Sequence, residues 1–115
     1  MKIKVQFFEE RLVDAVGAGV YEIYAKADDK EELFYVGESV FVLVRCATHL
    51  YEISKGKGYL GFDKDKIEKD NITLVFKIYD NVSSKKDRIA LEKKLIDTKK
   101  PIMQSGIKDR VKPIE

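Results

Sequence analysis

Cysteine and histidine are nearly absent from this chain: each occurs once, as Cys46 and His49. A single cysteine excludes an internal disulfide, so the apolar core has to hold the fold, and a reducing, cytoplasmic setting is expected. No partner for nucleophilic chemistry lies near Cys46 in sequence, so it reads as a small buried residue. One histidine is thin support for a metal site. Long apolar runs are missing too: nothing approaches the ~18–20 consecutive apolar residues a membrane-spanning helix needs, so no membrane role is expected. The stretch Met1-Lys2-Ile3-Lys4-Val5-Gln6-Phe7-Phe8 lacks the long apolar segment and small-residue cleavage site of a secretory signal. There is no internal repeat and no low-complexity tract.

The 115 residues that are present fit one domain, with a core of moderate size. Hydrophobic residues make up 44%, as in ordinary globular proteins, and the 37% charged residues are interspersed by sign, which argues against disorder. The net charge of +2 is unevenly spread: residues 83–115 hold ten Lys or Arg against five Asp or Glu, and residues 1–82 twelve against fifteen. A basic C-terminal third can meet a phosphate backbone, although a lysine-rich solvated helix face is the simpler account of the charge alone.

The stretch from Gly19 to Gly37 organises the rest. Gly19-Val20-Tyr21 opens one apolar run and Tyr35-Val36-Gly37 closes another, and Asp28 to Glu32 separates them. A β-hairpin is expected, with strands at Val20–Ala27 and Leu33–Gly37 and a turn over Lys26–Glu32. Alternation puts Tyr21, Ile23 and Ala25 on one face and Val20, Glu22, Tyr24 and Lys26 on the other. Before the hairpin, Ile3–Phe8 alternates like a strand, and Glu9–Val16 suits a short helix ended by Gly17. After it, Val40 to Val44 has strand propensity, whereas Ser39 as a cap and the spacing of Ala47, Leu50 and Tyr51 favour a helix. A helix over 39–54 is the reading adopted, and it places Arg45 and His49 one turn apart on one face. Residues 55–70 read as a long connection with a helical turn at Lys64–Lys69. Asn71–Tyr79 is the clearest strand. Ser84 with Asp87 resembles a capping box before a helix from Lys85 to about Thr98, which Pro101 ends. Ile102–Gly106 suits a short extended piece, and 107–115 a polar tail.

Glu92 stands out in that last helix. It lies three residues after Ile89, three before Leu95 and four before Ile96, within the apolar stripe. An acid there either snorkels at the stripe's edge or pairs with Lys85 or Arg88, or else it is a metal ligand or base aimed into a cleft. Tyr21 and Tyr35 by themselves read as strand aromatics, Arg45 as a surface charge and His49 as a hydrogen-bonded core edge.

Together these residues resemble the GIY-YIG nuclease family. Gly19-Val20-Tyr21 and Tyr35-Val36-Gly37 match its namesake motifs with valine for isoleucine. Glu38-Ser39, Arg45 followed four residues later by His49, Glu92 within Glu92-Lys93-Lys94-Leu95-Ile96, and Lys100-Pro101 follow in the family's order. Gln104 stands where the family usually has asparagine. The resemblance covers about residues 17 to 106, leaving 107–115 as a tail of the single domain 1–115.

The resemblance implies an α+β fold: a three-stranded antiparallel sheet flanked by helices, here with a short N-terminal strand and helix added. It favours the helix over 39–54. It implies phosphodiester cleavage in DNA with one divalent metal, Mg²⁺ or Mn²⁺, held by Glu92. Tyr21, Tyr35, Arg45, His49 and Glu92 would be catalytic: Tyr21 as base, Tyr35 positioning water or phosphate, Arg45 on phosphate oxygens, and His49 on a phosphate oxygen or taking a tyrosine's proton. Gly37, Ser39 and Gln104 would bind substrate. Branched, damaged and single-stranded DNA all stay open as substrates, as do a protein partner that supplies specificity and a monomeric or homodimeric state. A catalytically impaired nucleic-acid- or protein-binding module on the same fold is the alternative. All of this requires that the five catalytic residues converge.

Overall fold

The computed structural model describes residues 3–69 and 71–104. Its centre is the hairpin of β2 (Gly19–Ala27) and β3 (Lys30–Ser39), paired antiparallel from Gly19 opposite Ser39 to Ala27 opposite Lys30. The turn is tighter than the sequence suggests. Only Asp28 and Asp29 lie outside the ladder, with Asp28 at φ 56°, a left-handed conformation that aspartate tolerates. Lys26 and Lys30 to Glu32 join the strands because main-chain pairing does not depend on side-chain polarity where both faces meet water.

β6 (Thr73–Asn81) pairs antiparallel with the other side of β2. The sheet has four strands rather than three, because β1 (Lys4–Phe7) adds beside β6, parallel to it, in the order β1-β6-β2-β3. Alternation in Ile3–Phe8 identified the strand; its partner was decided by long-range packing of Phe7 and Phe8 on Phe76. The helix expected over 9–16 is the single turn α1 (Leu12–Ala15).

Both faces of the hairpin are covered, which explains why Gly19 through Ile23 are all buried. Tyr21, Ile23, Ala25, Tyr35, Leu74, Phe76 and Ile78 pack on one face with Val42, Cys46 and Ile53 of α2 (Val42–Ser54). Val20 and Val36 on the other face pack on Leu95 of α4 (Lys85–Lys99). The helix expected over 39–54 therefore forms, and tertiary burial outweighs the strand propensity of its first residues. Ser39 does not cap it. The N-cap is Phe41, without a side-chain cap bond, and Ser39 Oγ instead accepts from the Phe41 N–H at 3.1 Å.

The connection after α2 is more ordered than its composition suggests. β4 (Lys57–Tyr59) and β5 (Phe62–Asp63) form a small hairpin, followed by α3 (Lys64–Lys69). Its two-residue turn, Leu60-Gly61, has both residues at positive φ, 55° and 82°, the geometry that matches strand twist. Leu60 accepts this because its side chain is buried.

α4 is anchored at both ends. Ser84 Oγ accepts from the Asp87 N–H at 3.3 Å, as the capping pattern implies. Arg88, buried, donates to Glu38 at 2.9 Å and to the carbonyls of Val82 and Ser83 at 3.2 and 2.7 Å. At the other end Lys99 meets buried Glu22 at 2.7 Å. Beyond α4 the chain turns back along the open edge of β3, where the Ile102 and Met103 N–H groups donate to the carbonyls of Leu33 and Phe34. Residues 102–103 form a turn there rather than a regular extended strand. Residues 105–106 and the tail at 107–115 lie outside the described residues.

Candidate active site

The pairing of β2 with β3 puts Tyr21 opposite Gly37 and Ile23 opposite Tyr35, so both phenols lie on the α2 face, in diagonal positions. Their ring centroids are 6.2 Å apart. Gly37 makes this possible. A Cβ there would collide with the Tyr21 hydroxyl, sit 2.5 Å from Tyr21 Cζ and 2.9 Å from Tyr35 Cε2. The substrate-binding position expected of Gly37 is therefore occupied by the Tyr21 ring.

α2 supplies the next pair from one inward face: Arg45, 6% exposed, and His49, fully buried. His49 Nε2 is 2.7 Å from the Tyr21 hydroxyl, and its ring meets Tyr35 edge-on at 5.1 Å between centroids. Its other nitrogen, Nδ1, is 2.7 Å from the hydroxyl of Tyr59, at the end of β4. Tyr59 was not singled out from the sequence. Residues 55–70 read as a long connection, which does not announce that a small hairpin there delivers a phenol to the core.

Burial, helped by the Arg45 charge, lowers the His49 pKa from 6.5 to about 3, so the imidazole is neutral. Burial also raises the Tyr21 pKa well above 10, the effect Cys46 and Tyr35 reinforce, while Arg45 opposes it. Tyr21 at rest is a protonated phenol. Its proton can leave only toward a neighbour, and His49 Nε2 is the nearest acceptor the geometry offers.

This arrangement has a measurable effect on stability. A native pKa below the unfolded value means that the unfolded chain binds the proton first as pH falls. The His49 contribution is thus complete above pH 6.5 and is lost as pH drops from there toward 3, by up to about 1.4 kcal/mol per unit. Urea unfolding of the wild type and of His49→Gln at pH 7 and pH 4.5 should show the gap between them narrowing by about 2–3 kcal/mol. Carboxylate titration largely cancels in that difference. A gap independent of pH would mean that the native His49 pKa is no lower than in the unfolded chain.

Arg45 lies between this buried group and a cleft, with its two terminal guanidinium nitrogens themselves buried. It lines a cleft of about 370 Å³ with Glu38, Ser39, Phe41, Thr48, Lys85 and Arg88, between α2 and the start of α4. Val40, Phe41 and Val44 are more than half exposed at its rim. Ser39 is among the residues lining this cleft. Gln104 is engaged elsewhere: its Oε1 accepts from the Val36 N–H and its Nε2 donates to the Val36 carbonyl, both at 2.9 Å. It clasps the middle of Tyr35-Val36-Gly37 from the sheet edge.

The structure therefore brings Tyr21, Tyr35, Arg45 and His49 together. Glu92 comes from α4, whose Leu95 packs against Val20 and Val36 on the opposite face of the sheet from Tyr21. It is half-buried on the sheet-facing stripe, one turn beyond the cleft residue Arg88. Among the described residues no group of three or more His, Cys, Asp or Glu could hold a metal ion. Glu92 supplies one carboxylate, and an ion such as Mg²⁺ keeps most of its waters and takes one or two protein oxygens. Among the described residues no helix is long and apolar enough to cross a membrane.

Comparison with known families matches residues 17–106 to the model described as the GIY-YIG catalytic domain. No curated protein and no solved structure matches the chain.

Proposed function

The chain belongs to the GIY-YIG family of nucleases, and from that premise we propose that it is an endonuclease that hydrolyses phosphodiester bonds in DNA with one divalent metal ion. The observation that carries this reading is the meeting of Tyr21, Tyr35, His49 and Arg45, four of the five residues expected to converge, with Arg45 lining a cleft. Hydrolysis of a phosphodiester requires an activated water, charge neutralisation at the phosphate and help for the leaving oxygen. A divalent ion, Mg²⁺ or Mn²⁺, supplies Lewis acidity when bound, and Glu92 is the side chain assigned to hold it.

The chain's own residues do the rest. Arg45 offers a planar fork to phosphate oxygens, with Ser39 beside it in the cleft. Tyr21 takes the proton of the attacking water as it gives its own to His49 Nε2, 2.7 Å away. This concerted role suits a phenol whose pKa is raised, because it never has to stand as a free phenolate. Tyr35 positions water or phosphate. Gln104 keeps one Nε2 hydrogen beyond its bond to Val36, and that hydrogen is assigned to a phosphate. Gly37 makes room for the Tyr21 ring.

Purified protein incubated with supercoiled plasmid, branched DNA and single-stranded DNA should cleave at least one of them with Mg²⁺ or Mn²⁺ and none with EDTA. A binding module with lost activity is the second reading, favoured by the engagement of Gln104 with Val36. Retention of DNA in a gel shift, with no cleavage under either metal, selects it.

A further inference from the structure

We infer that Tyr59 is a positioning residue: its hydroxyl oxygen accepts the Nδ1 proton of His49 and so holds the Nε2 lone pair toward Tyr21. The inference rests on the nuclease reading for its catalytic use, but its geometry stands without it. A neutral imidazole has one N–H and one bare nitrogen, so a histidine between two phenols must donate to one and accept from the other. Both hydroxyls are 2.7 Å from the ring, on opposite nitrogens. Only one tautomer leaves Nε2 able to receive the proton of Tyr21.

The proton transfer chooses between the two, because only a bare Nε2 can take the proton of Tyr21 across the 2.7 Å contact. Tyr21 therefore donates to Nε2, Nδ1 carries the hydrogen, and Tyr59 receives it. This is the logic by which a third group orients a catalytic histidine in hydrolase triads. Here a neutral phenol does so, which keeps the site free of a buried negative charge beside Tyr21.

The backbone around Tyr59 is built for this placement. The Leu60-Gly61 turn holds a non-glycine residue at φ 55°, with Leu60 1% exposed and Tyr59 6% exposed. Leu60 pins the hairpin to the core, and the hairpin's register sets the Tyr59 ring against His49, with centroids 5.9 Å apart.

His49 is the only histidine, so its nitrogen resonances need no assignment. Long-range ¹H–¹⁵N correlation on the full chain at pH 7 should show a protonated Nδ1 and a bare Nε2. Tyr59→Phe keeps the ring and removes the acceptor; the spectrum should then shift to mixed tautomers or to Nε2–H. On the DNA substrate, kcat should fall about tenfold with KM unchanged, a typical loss for an orienting partner. Tyr51→Phe, at an exposed tyrosine on α2, should change neither readout. A wild-type imidazole protonated on Nε2 overturns the inference. So does a Tyr59→Phe protein that keeps the wild-type tautomer, whether or not its thermal stability drops. The spectrum needs no substrate, so wild-type protein that cleaves nothing defeats the nuclease reading alone.

Discussion

Glu92→Ala should reduce metal-dependent cleavage by at least about a thousandfold while the protein stays folded, because removing a metal's protein oxygen takes away charge stabilisation present mainly in the transition state. The two halves of this expectation come from the position of Glu92. It is half-buried on α4, whose attachment to the sheet is carried by Arg88, Leu95 and Lys99 rather than by Glu92 alone. Truncating it should change stability by no more than about 1 kcal/mol. Glu92→Gln keeps the shape and removes the charge, so it should lose activity almost as fully. Gel assays of plasmid or branched DNA with Mg²⁺ titrated from micromolar to millimolar measure both, and circular dichroism checks the fold. Cleavage by Glu92→Ala within tenfold of wild type would remove Glu92 from the site and return it to a structural role at the stripe's edge.

Gly37→Ala should disable the protein through one methyl group. The new Cβ would fall on the Tyr21 hydroxyl and crowd Tyr35 Cε2, and both rings are buried with no free volume to retreat into. Overpacking of this kind costs about 2–3 kcal/mol, which lowers Tm by roughly 10 °C in a domain of this size. Activity should fall further than stability, because any movement of the Tyr21 ring breaks its 2.7 Å contact with His49. Gly17→Ala is the matched control: nothing lies within 4 Å of its Cβ, so Tm should hold. In Gly37→Ala the nearest obstacle is the hydroxyl, so adding Tyr21→Phe should recover part of the lost Tm without recovering cleavage. Unchanged Tm in Gly37→Ala would show that Tyr21 does not cross the glycine as described.

The two glycine-tyrosine tripeptides were legible because each residue type there has a steric meaning. A glycine opposite a tyrosine across a ladder leaves room for the ring, and Gly37 opposite Tyr21 is such a pair. The helix bearing Arg45 and His49 was less legible. Its Val40-Phe41-Val42-Leu43-Val44 start reads as strand, and it becomes helical because Val42, Cys46 and Ile53 bury against the sheet. Ser39 was expected to cap that helix, yet it closes a tighter turn onto Phe41. The pairing of Gln104 with Val36 at the open edge was not legible either, because it depends on the amide meeting a distant strand's donor-acceptor pattern.

Local order was therefore written in the chain itself. Alternation set the faces of β2, Ser84 set the start of α4, and the motifs and their spacing announced the family, which the match over residues 17–106 bears out. The first two are properties of residues within a turn or two of each other, and the third is a spacing along the chain. Tertiary structure alone decided which distant groups meet. It placed β1 beside β6 as a fourth strand, set Tyr59 on His49 through a ten-residue separation, and put Tyr21 and the Glu92 helix on opposite faces of one hairpin. The reason is physical: periodicity reports which side of an element is buried, but the partner on that side is chosen by how all the buried surfaces fit at once.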